Sequence, residues 1–175
     1  MKILVLNGSP HIAGNTSHLI DAFRRGAEDA GHTVITVLTA QKKISGCKGC
    51  EYCHSQGHGE CIQKDDMQQI YPLMKKADML VLASPIYYRS FSSQLKCVID
   101  RFYAIAFPKM PENLKKIALI LSSGAPNVYG GAAYIYEEEF LQDLGMEGMG
   151  VYTACKADVN TSEKLNELYS FGNSL

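Results

Sequence analysis

Apolar residues gather in five short runs, at positions 3–6, 34–38, 79–83, 117–121 and, more weakly, 151–155. Four of these runs are near-continuous rather than alternating, the pattern of strands buried on both faces. The segments between them follow a helical period. Residues 16–30 place Leu19, Phe23, Ala27 and Ala30 on one stripe, and Gly31 supplies a C-terminal stop. A second helix opens at Asp65 or Asp66 and carries Ile70, Leu73 and Met74. Leu95, Val98, Ile99, Phe102 and Ile105 mark a third. A fourth covers 132–144 and stops at Gly145, and a last one opens at Thr161 or Ser162 with Leu165 and Leu168 inward. Strand and helix therefore alternate five times, which predicts an α/β fold with a parallel sheet covered by helices on both faces. No repeat or linker divides the chain, so one domain over 1–175 is expected. The longest irregular piece is a cysteine-rich insert at 45–64, and a loop of that length in a compact domain usually has a task.

Composition narrows the function. The chain has 175 residues and a net charge of −1, with no long basic run. Nucleic acid and anionic membranes are excluded as main partners. The apolar part of "MKILVLNGSP" is too short for a signal peptide. No segment approaches the roughly 18–20 apolar residues of a membrane span. A cytoplasmic protein is the expectation, and its six cysteines are then thiols or metal ligands rather than structural disulfides.

Open parallel sheets bind ligands at the carboxyl ends of their strands. There, after the first strand, stands "NGSPHIAGNTSHL", with Gly8, Ser9, Gly14, Asn15, Thr16 and Ser17 and no acid. Glycines admit close backbone approach, and hydroxyls and free N–H groups at a helix start suit a phosphate. His11 adds a proton donor. A Walker A loop is absent, because Asn15 stands where its lysine belongs, and so is the G-x-G-x-x-G dinucleotide fingerprint. A hydroxyl-rich loop without lysine suits a terminal monophosphate ester such as that of FMN; an ordinary polar loop is the alternative. After the third strand, Pro85, Ile86, Tyr87 and Tyr88 offer a stiff turn and an aromatic wall for a flat ring. After the fourth, Ser122, Ser123 and Gly124 offer backbone contacts, and Tyr129 beside Gly130 and Gly131 is placed to close over a substrate.

The stretches "GSPHIAGNTSHL", "SPIYYRSFSSQLKCVIDR" and "SSGAP" together resemble the flavodoxin-like NAD(P)H-dependent FMN reductases over nearly the whole chain. The resemblance implies a three-layer fold with a five-stranded sheet ordered 2-1-3-4-5, non-covalent FMN and a homodimer. It also implies that Ser9, Asn15, Thr16 and Ser17 hold the phosphate, that Pro85, Ile86, Tyr87 and Tyr88 flank the flavin, and that Ser123 and Gly124 approach its other side. His11 stands where many members carry arginine, a departure that would weaken phosphate binding or tie it to pH.

Cys47, Cys50, Cys53 and Cys61 follow C-x2-C-x2-C-x7-C. Four sulfur ligands suit iron–sulfur or zinc. The run resembles the compact motif of the iron–sulfur flavoproteins, a branch of the same fold family, which implies a [4Fe–4S] cluster beside the flavin. Zinc, with His54 or His58 replacing a thiolate, and free thiols are the competing readings. Cys97 and Cys155 read as small structural residues, His18 and His32 as a helix-surface and a loop residue, and Lys96 with Asp100 as a surface ion pair. Lys96, Asp100 and Arg101 form no catalytic set by spacing. The expected activity takes hydride from NAD(P)H and passes electrons to a flavin, a quinone or a similar small acceptor, through the cluster if one is present. The rival is a non-enzymatic electron carrier or redox sensor fed by a protein partner.

Overall fold

The computed structural model describes residues 1–106 and 109–175. Its five strands are β1 (Lys2–Asn7), β2 (Thr33–Leu38), β3 (Met79–Pro85), β4 (Lys116–Ser123) and β5 (Glu147–Cys155). They form one all-parallel sheet in the flavodoxin-like order β2-β1-β3-β4-β5. The helices are α1 (Asn15–Asp29), α2 (Met67–Lys76), α3 (Ser93–Asp100), α4 (Tyr103–Ala106), α5 (Gly130–Ile135) and α6 (Ser162–Asn173). None of the described helices is long and apolar enough to cross a membrane.

Alternating side chains of the inner strands feed two cores. Ile3, Val5, Met79, Val81, Ala118 and Ile120 meet Leu19 and Phe23 of α1 and Leu168 and Phe171 of α6. Leu4, Leu6, Leu80, Leu82 and Leu119 meet Ile70 of α2, Leu95 and Val98 of α3 and Ala132 of α5. Burial of each such side chain is worth about 1.5–3 kcal/mol, so the continuous apolar runs are what fix three layers. β2 departs from the sequence expectation. It lies at the sheet edge, and Ile35 is 43% exposed although its run looked fully buried.

Two helices also differ from their expected extents. The third apolar stripe is split, with α3 ending at Asp100 and α4 starting at Tyr103. Between them the amides of Arg101 and Phe102 bond three residues back, to Val98 and Ile99, which tightens the chain into a turn. The fourth helix is α-helical only over Gly130–Ile135 and continues as a π-helix over Tyr136–Asp143. Of the two expected caps at α2, Asp66 holds the N-cap position but its carboxylate accepts from the Lys43 amide, while Asp65 accepts from the Met67 amide. Thr161 caps α6 as expected, its Oγ1 accepting from the Lys164 amide.

α1 and α6 cross where glycine faces backbone. A Cβ on Gly26 would stand 2.0 Å from the Tyr169 carbonyl oxygen, and one on Gly172 would stand 2.2 Å from that of Phe23. Only hydrogen atoms fit between the two helices at that crossing.

Candidate functional site

Three loops meet at the carboxyl edge of β1, β3 and β4, and a lattice of short polar bonds ties them together. The Gly8 amide donates to the Ala83 carbonyl at 2.7 Å, joining the β1 loop to β3. Ser92 donates its hydroxyl to the Gly8 carbonyl at 2.6 Å and accepts from the Leu95 amide, so the residue that caps α3 also grips the β1 loop. The Ser92 amide in turn donates to Ser84 Oγ at 2.9 Å. The Ile86 amide donates to the Ser122 carbonyl at 2.8 Å, and Thr16 Oγ1 lies 2.8 Å from Ser122 Oγ. A buried hydroxyl of this kind costs more to remove than its net bond is worth, because its partners are left unsatisfied. Replacing Ser92 by Ala is expected to destabilise the fold by about 2 kcal/mol, read as a lower urea midpoint at unchanged slope.

Within the first loop, Ser9 is buried and forms a tight turn. Its amide donates to Asn7 Oδ1 at 2.9 Å, and its Oγ both accepts from the His11 amide and donates to the His11 carbonyl at 3.2 Å. Ser17 is half-buried and accepts from Asn7 Nδ2 at 3.2 Å. His11 and Asn15 are exposed at the loop's rim. Thr16 is buried, so its hydroxyl braces β4 and only its amide is left for the loop. Gly14 holds the N-cap of α1 without a side-chain cap, and no acid occupies the first turn. The first amides of a helix have no intrahelical acceptor, and the helix dipole adds a partial positive charge there.

The second loop is a two-residue hairpin. The Tyr87 and Ser90 amides exchange bonds with each other's carbonyls at 3.0 and 3.1 Å. Tyr88 and Arg89 lie at its tip with φ of 47° and 65°. Such turns favour Asn-Gly, and bulky side chains there store strain. The turn exposes Tyr88 completely and Tyr87 by 45%. It is supported from below by α5, where a Cβ on Gly131 would stand 2.4 Å from the Arg89 carbonyl oxygen. Pro85 and Ile86 are half-buried beneath it. In the third loop, Ser123 Oγ donates to the Ala125 carbonyl at 2.7 Å and lies 2.7 Å from the Tyr129 hydroxyl, while Gly124 is exposed. The structure therefore places the three loops at the carboxyl ends of β1, β3 and β4, with the Thr16 hydroxyl, expected on the phosphate, turned instead onto Ser122. Asn7, Ser84, Ser92 and Ser122 complete the bracing. Ser92 carried a readable signal as the hydroxyl directly before the α3 stripe; nothing local marked Asn7.

The cysteine insert packs against the far end of α3. Cys47, Cys50, Cys53 and Cys61 line one small pocket with Lys48, Arg101 and Tyr103. Cys53 is buried, Cys61 half-buried, and Cys47 and Cys50 exposed. Burial pushes the Cys53 thiol up, and Cys61, Cys47 and Glu51 add to the rise. The six cysteines are free. No three His, Cys, Asp or Glu among the described residues are gathered tightly enough to hold a single ion. The insert is pinned by Tyr103, whose hydroxyl donates to Glu51 Oε2 at 2.9 Å and whose carbonyl lies 2.7 Å from His54 Nε2. Arg101 donates to the Ser45 carbonyl at 2.9 Å and pairs with Asp65 at 2.8 Å. Lys96 and Asp100 form the expected surface pair. His18 meets Asn160 at an exposed surface, and His32 meets the N-terminal amine.

An iron–sulfur flavoprotein of Archaeoglobus fulgidus is 41% identical over 101 residues, 58% of this chain and 45% of that protein. An iron–sulfur flavoprotein of Methanosarcina thermophila is 31% identical over 144 residues, 82% of this chain and 71% of that protein. The chain thus matches less than half the length of the first and under three quarters of the second. Among solved structures, the NAD(P)H:quinone oxidoreductase of Methanothermobacter marburgensis superposes with a TM-score of 0.75 at 15% identity, covering 99% of this chain and 93% of that one, which shows a common fold. With the phosphate-type loop, the tyrosine hairpin and the β4 loop at one rim, and a family profile matched over residues 1–154, the chain belongs to the NADPH-dependent FMN reductases.

Proposed function

We propose that this chain binds FMN at the carboxyl rim and uses it to oxidise NAD(P)H in favour of a small oxidised acceptor such as a flavin or quinone. The observation that carries the reading is the uncapped, acid-free N-terminus of α1 facing a hydroxyl-lined loop beside an exposed aromatic hairpin. An anion is what such a helix start lacks, and a dianionic phosphate monoester satisfies it. The residues fit the rest of the cofactor as well. Ser9, Asn15 and Ser17 with the amides of the first turn would hold the phosphate, His11 standing at the edge. Ile86, Tyr87 and Tyr88 would flank the ring on one side, Ser123 and Gly124 on the other, with Tyr129 placed to close over a substrate. FMN when bound supplies hydride acceptance and single-electron release, chemistry that none of these side chains performs.

We also propose that the cysteine pocket holds a [4Fe–4S] cluster. Two relatives named iron–sulfur flavoproteins support an iron–sulfur centre, as do the four cysteines lining one pocket, where Lys48 and Arg101 stand with Glu51 and Asp100. Ligands of a multi-iron centre bind different iron atoms, so a shared pocket, rather than a shell closed on one ion, is the match required. α3 joins the two sites. Its N-cap Ser92 bonds to the phosphate loop and its C-cap is Arg101, nine residues later, about 14 Å at 1.5 Å per residue.

Protein prepared without oxygen and loaded with FMN is expected to oxidise NADH or NADPH in steady state with a quinone or flavin acceptor. No turnover with either nucleotide across several acceptors would contradict the enzymatic reading and leave the electron-carrier role.

A further inference from the structure

Arg101 has the largest side chain among those described residues that are less than 2% exposed. A guanidinium at that depth needs its donors used. Nη1 donates to the Ser45 carbonyl at 2.9 Å and to Asp65 Oδ2 at 2.8 Å. Nη2 donates to Asp65 Oδ1 at 3.2 Å and to the Gln63 carbonyl at 3.5 Å. Ser45 begins the cysteine insert, and Gln63 and Asp65 stand at its end, so one side chain draws both ends together. Nε is different. It is buried and has no partner among the described residues. Arg101 lines the same pocket as Cys47, Cys50, Cys53 and Cys61. Its carbonyl accepts from the Tyr71 hydroxyl at 3.1 Å, so the backbone is pinned as firmly as the guanidinium ends. The Tyr71 hydroxyl also stands beside the guanidinium and near Cys61, and a buried donor without a bonded partner calls for a water, an ion or a functional group to explain it.

We propose that Arg101 is the positioning residue of a thiolate-bound iron–sulfur centre, its Nη groups closing the cysteine insert and its Nε–H donating to a sulfur of that centre. The proposal rests on the iron–sulfur reading of this pocket. A reduced centre carries one more electron, and one more unit of negative charge, than the oxidised centre. A fixed cation with an N–H aimed at its sulfur stabilises the reduced form more and raises the reduction potential. Lysine at the same position keeps the charge but loses the Nε–H and the two-pronged grip on Asp65.

Iron and sulfide are measured first on the wild type prepared without oxygen. Protein lacking both overturns the cluster reading and this inference with it. With the cluster present, Arg101→Lys is expected to shift the ratio of oxidised to reduced centre at fixed potential at least tenfold toward oxidised, 59 mV for one electron. A cluster-loaded Arg101→Lys protein with an unchanged potential overturns the inference while leaving the cluster reading intact. A second measurement needs no variant. Wild type labelled with 15N in the arginine guanidinium groups carries four such residues, and Arg101 alone lines the pocket. Pulsed electron paramagnetic resonance of the reduced cluster is expected to show a 15N coupling. Its absence in cluster-loaded protein overturns the Nε–H contact.

Discussion

Asp65→Ala unfolds at a temperature roughly 6–12 °C below that of the parent protein, from a loss of about 3 kcal/mol. The carboxylate is 19% exposed and meets a guanidinium that is 1% exposed. Removing it strands the Arg101 charge in the interior, and breaking such a pair costs about 3–5 kcal/mol. The low end applies because the carbonyls of Ser45 and Gln63 still face the guanidinium. The same substitution removes the acceptor for the Ser45 and Met67 amides, so the cysteine insert loosens at both ends. In the cluster-free protein the buried Cys53 thiol should then react much faster with an aromatic disulfide reagent. The stability difference depends on pH. Burial acts to raise the Asp65 pKa, but bonds from Arg101, Ser45 and Met67 outweigh it and hold it below the usual carboxylate value. A depressed folded-state pKa contributes stability that is complete above about pH 4 and is lost as pH falls through the depressed value. The gap between parent and variant therefore narrows in acid.

Gly26→Ala is the second large loss, also about 3 kcal/mol. The new methyl would lie 2.0 Å from the Tyr169 carbonyl oxygen, which belongs to the backbone of α6 and has no rotamer to yield. α1 and α6 must separate, opening a core that includes Phe23 and Phe171, whose ring centroids are 5.1 Å apart. Better helix propensity returns about 1 kcal/mol, and the figure given is net of that. Cys53 reactivity should be unchanged, because this crossing lies on the opposite face of the sheet from the insert. Equal thermal loss, with the thiol faster in one and unchanged in the other, separates the two substitutions.

Most of the fold was legible because the inner strands are buried on both faces and carry continuous apolar runs. β2 misled for a positional reason: the run reads like a central strand, but exposure depends on which edge it occupies. The break after α3 was also hidden, since the apolar stripe runs on through Phe102 and Ile105 while the hydrogen bonding does not. At the site, the three ligand loops could be read from small and hydroxyl residues after strands, which is a local signal. Their bracing could not, because Thr16 meets Ser122 across 106 positions and Ser92 meets Gly8 across 84. Arg101 shows the limit most clearly. Its partners lie far off in sequence, Asp65 at 36 positions and Ser45 at 56, so nothing local marks its burial.

The central claim is that the carboxyl rim of the sheet takes FMN through its phosphate. Calorimetric titration of the folded, flavin-free protein with FMN and with riboflavin tests it directly, since the two ligands differ only in that group. FMN is expected to bind at micromolar concentration or tighter and at least a hundredfold more strongly than riboflavin, a difference of about 2.7 kcal/mol. Equal affinity for the two, or no uptake of FMN by correctly folded protein, would contradict the account.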